Sequence, residues 1–157
     1  MNVVDSSAWL EYFSDGPNAS AFAKPIESTR SLLVPSLSLF EVFKRVSQQR
    51  SEDDALRAVA VMEQGSVVDL DRATAIEAAR LSILHRIAMA DSIMLATAQR
   101  HRATLWTQDS DFDGLPGVKY YAKRSLGWLP VASRSGHRSS ETRARRAFPH
   151  RGPPSVA

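Results

Sequence analysis

The chain reads as an α/β protein, with a central parallel sheet of about five strands flanked by helices. Short apolar runs alternate with longer segments of helical period along its length, and such alternation favours a parallel sheet covered on both faces. The runs themselves are unbroken rather than alternating, as expected for strands buried on both sides. A third observation concerns chemistry: four carboxylates, Asp5, Glu41, Asp91 and Asp109, stand at strand ends or near helix starts. In open α/β sheets ligands bind beyond the carboxyl ends of the strands, where such residues gather.

Asn2-Val3-Val4 is a short buried strand ending at Asp5. Ser6 or Ser7 caps a helix over Ala8–Phe13, which Asp15-Gly16-Pro17 breaks. A second helix covers Ala19–Ile26. Ser31–Val34 is the second strand, stopped by Pro35, and a longer helix runs from Ser36 to Arg50 with Leu39, Phe43 and Val46 as its apolar stripe. Asp53 or Asp54 caps the next helix, which carries Leu56, Val59 and Met62 and ends at Gly65. Val67–Leu70 returns as a strand, and Asp71 caps a helix with Ala75, Ile76, Ala79 and Leu84. A nearly uncharged helix spans Ala90–His101. Thr104–Thr107 and Val118–Tyr121 supply the last two strands.

A chain of 157 residues with 43% hydrophobic and 24% charged residues suits one globular domain with a proper core. No cysteine is present, so disulfides, thiolate metal sites and cysteine nucleophiles are excluded. The start lacks the basic and long apolar regions of a signal peptide. No apolar run approaches the roughly 20 residues that span a bilayer. A cytoplasmic location and no membrane partner are therefore expected. The net charge of +3 is unevenly spread: residues 131–157 hold six arginines against the single acid Glu141, leaving 14 basic and 16 acidic residues in 1–130. We divide the chain accordingly into a folded domain, 1–130, and a basic, disordered extension, 131–157.

Each acid has an ordinary structural use. Asp5 before Ser6-Ser7 suits a helix cap. Ser38-Leu39-Phe40-Glu41 matches a capping box, and Glu41 lies opposite its helix's apolar stripe. Asp91 in a first turn complements the helix dipole. Asp109 lies in the turn-rich Thr107-Gln108-Asp109-Ser110-Asp111-Phe112-Asp113-Gly114, where Asx-turns are common. The four together argue differently. No Lys or Arg lies within three residues of Asp5 or Asp91, and acids in apolar surroundings cost desolvation free energy unless compensated. Brought together, they cannot all ionise without a cation among them. A divalent metal meets that need.

The ordered set Val3-Val4-Asp5-Ser6-Ser7-Ala8-Trp9, Ser38-Leu39-Phe40-Glu41, Met89-Ala90-Asp91-Ser92-Ile93-Met94 and Leu105-Trp106-Thr107-Gln108-Asp109-Ser110-Asp111-Phe112 resembles the PIN-domain ribonucleases. It is most similar to the VapC-type toxins of bacterial toxin–antitoxin pairs. The resemblance covers about residues 2–122. It implies a three-layer PIN-like fold, an acidic pocket binding Mg²⁺ or Mn²⁺, and hydrolysis of RNA phosphodiester bonds. It maps the catalytic and metal-binding quartet onto Asp5, Glu41, Asp91 and Asp109, with Ser6 and Thr107 lining the pocket. Asp111 is a possible auxiliary ligand. It implies an antitoxin partner of the VapB kind, and a homodimer is expected, with exposed apolar residues on the first two helices suiting either. The basic extension departs from the family's pattern.

Because Mg²⁺ takes few carboxylates directly, Asp5 and Asp91 are assigned as principal ligands, with Asp109 and Glu41 holding its waters or a second ion. Lys44, Arg45, Arg86, Arg100 and Arg102 are candidates for phosphate contact. Trp9, Tyr12 and Phe13 have the spacing of core packing rather than of base stacking. Two other readings compete. A receiver-like phosphoacceptor needs an adjacent acidic pair after the first strand, which Asp5-Ser6 does not supply. A catalytically silent binding module would tolerate loss of an acid, yet all four are present.

Overall fold

The computed structural model describes residues 1–124. Its five strands are β1 (Asn2–Val4), β2 (Leu32–Pro35), β3 (Ser66–Val68), β4 (Thr104–Thr107) and β5 (Val118–Tyr120). They form one all-parallel sheet in the order β3-β2-β1-β4-β5. The helices among the described residues are α1 (Ser6–Phe13), α2 (Ala19–Glu27), α3 (Ser36–Gln49), α4 (Glu52–Met62), α5 (Arg72–His85) and α6 (Met89–Arg100). The reading of 131–157 as a disordered extension, and the boundary at 130, lie outside the described residues.

Strand alternation divides the interior into two cores, one on each face of the sheet. Val4, Leu32, Val34 and Trp106 face Trp9, Phe22, Ile26, Val42 and Met62 from α1 to α4. Val3, Leu33 and Leu105 face Ala78 and Leu81 of α5, Met94, Leu95 and Ala98 of α6, and Phe112. This is the three-layer arrangement expected. Trp9 and Phe13 stack with ring centroids 5.5 Å apart inside the first core, as their spacing indicated.

The connections from β1 to β2 and from β2 to β3 step outward in one direction, carrying α1–α4 on one face. The chain then crosses by α5 and α6 on the other face and lays β4 on the free side of β1. Successive connections therefore leave the neighbouring strands β1 and β4 in opposite directions, and a crevice opens beyond their carboxyl ends.

Several local expectations change in the folded chain. Asp5, not Ser6 or Ser7, caps α1, its carboxylate accepting from the Ser7 N–H. Ser51, not Asp53 or Asp54, caps α4; the two aspartates and Glu52 instead place negative charge in its first turn, where the dipole favours it. Asp71 caps α5 as expected. In α3 the fully buried positions are Ser38, Val42 and Val46, with Leu39 and Phe43 half-buried beside them. The capping box fails because α3 already begins at Ser36, which puts Ser38 inside the helix with its hydroxyl donating to the Met94 sulfur at 3.4 Å. Strand β3 ends at Val68, before Asp69 and Leu70. The apolar residues of α1 and α2 are largely buried, contrary to the expectation of exposed ones there; the helical positions exposed are Phe40, Leu56, Ile76, Ile83, Leu84 and Met89 on later helices, with Met1, Val67 and Leu70 exposed outside helices. Among the described residues no single helix is long and apolar enough to cross a membrane; α5 and α6 reach that length only as a pair bent by 116°.

Candidate active site

Asp5 follows β1 directly, and its backbone N–H donates to the Trp106 carbonyl at 2.9 Å, which extends the ladder onto β4 by one residue. The side chain is 4% exposed. Its Oδ2 accepts from the Ser7 hydroxyl at 2.6 Å, the Ser7 N–H at 3.2 Å and the Thr107 hydroxyl at 3.0 Å. Among the described residues its Oδ1 has only the Ser6 hydroxyl at 3.4 Å. One oxygen is thus spent on holding the carboxylate still, and the other is left for the crevice.

Thr107 ties the neighbouring acid into the same frame. While its hydroxyl donates to Asp5, it accepts from the Asp109 N–H at 2.9 Å. Asp109 then caps the short helical turn Ser110–Phe112 by accepting from the Asp111 N–H at 3.0 Å. The Asx-turn reading of Asp109 is therefore correct, and it accounts for one oxygen of the carboxylate.

Asp91 reaches the crevice from the other face. Helix α6 follows a helix rather than a strand, so a strand-to-helix connection does not bring its start to this rim; the 116° bend after α5 does. Burial, then the charges of Asp109, Asp5, Asp111 and Glu41 in that order, push the Asp91 carboxyl up to about 6. Every one of these influences disfavours the ionised form, so the quartet and Asp111 share one field. Glu41, in the second turn of α3, is raised chiefly by burial; a hydrogen bond with Ser6 opposes this, and Asp5 adds to it. It is half-buried, not the solvated side chain that its place opposite the apolar stripe suggested.

All seven residues singled out in the sequence thus belong to this one region: Asp5, Glu41, Asp91 and Asp109, with Ser6, Thr107 and Asp111. Ser7 was missed. Its hydroxyl makes the shortest bond to Asp5, whereas Ser6 stands between Asp5 and Glu41. The pair Ser6-Ser7 does not by itself show which hydroxyl turns inward. Gln108 was missed too: it is buried, and its side-chain amide bonds Ser7, Glu11 and Asn18.

Among the described residues no three His, Asp or Glu side chains are arranged to hold a metal ion by direct ligation. The donors are nevertheless of the type that suits a hard dication. They are all oxygen, their charge is in excess, and Asp5 keeps one oxygen free of strong donors. Mg²⁺ binds through one or two carboxylates and retains several waters, so the arrangement fits a hydrated ion.

An all-parallel α/β protein with an acidic crevice at its topological switch point is the class defined by these features. The PIN-domain family model matches residues 3–118, and the chain belongs to that family. Solved structures of similar fold include the toxin–antitoxin complex from Klebsiella pneumoniae, with TM-score 0.68 and 22% identity over 78% of this chain and 99% of that one. The sarcin–ricin-loop-cleaving toxin VapC20 of Mycobacterium tuberculosis superposes with TM-score 0.61 and 15% identity, covering 71% of this chain and 92% of that one. DNA-bound VapBC from Salmonella typhimurium gives TM-score 0.60 and 16% identity over 78% and 98%. No curated protein matches the chain.

Proposed function

We propose that the chain is a metal-dependent endoribonuclease that hydrolyses RNA phosphodiester bonds as the toxin of a toxin–antitoxin pair. The observation that carries this reading is geometric: Asp5 and Asp109, tied together through Thr107 at the carboxyl ends of the neighbouring strands β1 and β4, share one crevice with Asp91, Asp111 and Glu41. That much uncompensated negative charge costs free energy unless a cation serves it. PIN domains are in general nucleases, and structures similar in fold are toxins of such pairs.

Asp5 and Asp91 would hold Mg²⁺ (or Mn²⁺), with Asp109 and Glu41 orienting its waters. Such an ion supplies Lewis acidity toward a phosphoryl oxygen and makes water a stronger nucleophile near neutral pH. The chain's own contribution is positional. Ser7 and Thr107 lock Asp5 in one rotamer, and the Asp109 turn is anchored to the same threonine. One of the four acids also accepts the proton of the attacking water.

An antitoxin protein that covers the crevice belongs to this reading, as does a cytoplasmic site of action. So does a homodimer, which the apolar corner between α5 and α6 supports: Ile83 is 81%, Leu84 71% and Met89 74% exposed. The deciding assay incubates the full chain and its Asp5→Asn and Asp91→Asn variants with RNA in Mg²⁺, Mn²⁺ or EDTA. Cleavage by the parent with either metal, none in EDTA and none by correctly folded variants is the expected result. Full metal-dependent activity in either variant overturns the assignment.

A further inference from the structure

A cleft of about 300 Å³ adjoins the acidic crevice, and the two share Ser7 and Gln108 as a common wall. Its long sides come from α1 and α3. On α3, Glu41, Arg45 and Gln49 recur at four-residue spacing, so they form one row running from the acids into the cleft. Arg45, Arg50 and Lys123 line it. The lone acid of its lining, Glu11, is already engaged, its carboxylate accepting from the Asn18 N–H at 2.8 Å and the Gln108 side-chain amide at 3.2 Å. Among the described residues neither Arg45 nor Lys123 forms an ion pair.

We infer that this cleft is a phosphate subsite, receiving the backbone of single-stranded RNA on one side of the reacting phosphodiester. The inference rests on the nuclease reading and extends it from the reacting group to the strand. A polyanion approaching five carboxylates is repelled at every phosphate except the one a metal engages. Binding therefore requires cations placed one step along the strand, and Arg45 and Lys123 stand there. Ser7 lines the cleft and also bonds Asp5, so the cationic cleft and the acidic crevice meet at that residue.

The test uses the full chain, a fluorescent single-stranded oligoribonucleotide and EDTA to prevent cleavage. Anisotropy is followed between 50 and 200 mM salt for the parent, the double variant Arg45→Gln/Lys123→Gln, and a control, Lys24→Gln/Arg30→Gln, at the opposite end of the sheet. Loss of two phosphate contacts should make the slope of log K against log salt shallower by about 1.4, at about 0.7 per contact for single strands. It should also weaken low-salt binding roughly tenfold, with a smaller change in the control. A double variant whose slope equals that of a parent able to bind and cut RNA overturns the subsite alone. So does a variant that loses affinity for polyglutamate but not for RNA, which would mark the cleft as a site for an acidic protein segment. A parent that neither binds nor cuts RNA with either metal overturns the nuclease reading and the subsite together.

Discussion

Thr107 performs two tasks with a single hydroxyl, donating to Asp5 and accepting from the Asp109 N–H. Thr107→Val keeps the branched shape and strands both partners. A loss of about 1–3 kcal/mol in urea unfolding is expected, since a buried group without its partner bears its desolvation cost. Metal affinity should fall roughly 10–100-fold, as when an outer hydrogen bond to a ligand is removed. Ser6→Ala should cost less, because Ser6 approaches Asp5 only at 3.4 Å. Asp91 offers a second test. Its folded carboxyl titrates near 6, above the ordinary 3.8, so the metal-free fold binds this proton more tightly than the unfolded chain does. The Asp91 contribution is complete below about pH 4 and is lost as pH rises through 6. Melting temperatures of metal-free parent and Asp91→Asn should accordingly diverge across that window, the variant being the more stable at pH 7. Binding of Mg²⁺ to the parent should weaken below about pH 6, where protons compete for the same carboxylate.

At the scale of elements, α3 shows how a helix serves two surfaces. Its buried positions Ser38, Val42 and Val46 fix it against the sheet and α4, and this leaves Glu41 and Arg45 on the row that faces α1 and the crevice. The helix-to-strand connection from α4 to β3 depends equally on close approach. A Cβ on Gly65 would lie 2.9 Å from the Leu32 Cγ and 3.0 Å from the Leu32 carbonyl oxygen. Gly65→Ala must therefore displace β2 or the turn before β3, and a destabilisation of about 1–3 kcal/mol in denaturant unfolding is expected. The existence of each strand and helix was legible because unbroken apolar runs and helical periods are local properties. The failures were at boundaries. Ser38 fits a capping box in isolation, and only the earlier start of α3 at Ser36 excludes it.

For the whole molecule, the order β3-β2-β1-β4-β5 decides that Asp5 and Asp109 end on adjacent strands. The apolar corner formed by Ile83, Leu84 and Met89 belongs to this scale too. The proposed homodimer through this corner predicts that Leu84→Lys preserves the helical circular dichroism and shifts sedimentation from dimer to monomer. A parent that already sediments as a monomer overturns the homodimer. The sequence by itself determined the fold class, the element order and the identity of the acids, because burial pattern and residue chemistry are written along the chain. Only the tertiary structure decided that Ser7 rather than Ser6 grips Asp5 and that Glu41 is half-buried. It likewise decided that a bend after α5 returns Asp91 to the rim. Those outcomes depend on contacts across up to about a hundred residues of chain, and local pattern carries no information about which partners such contacts will join.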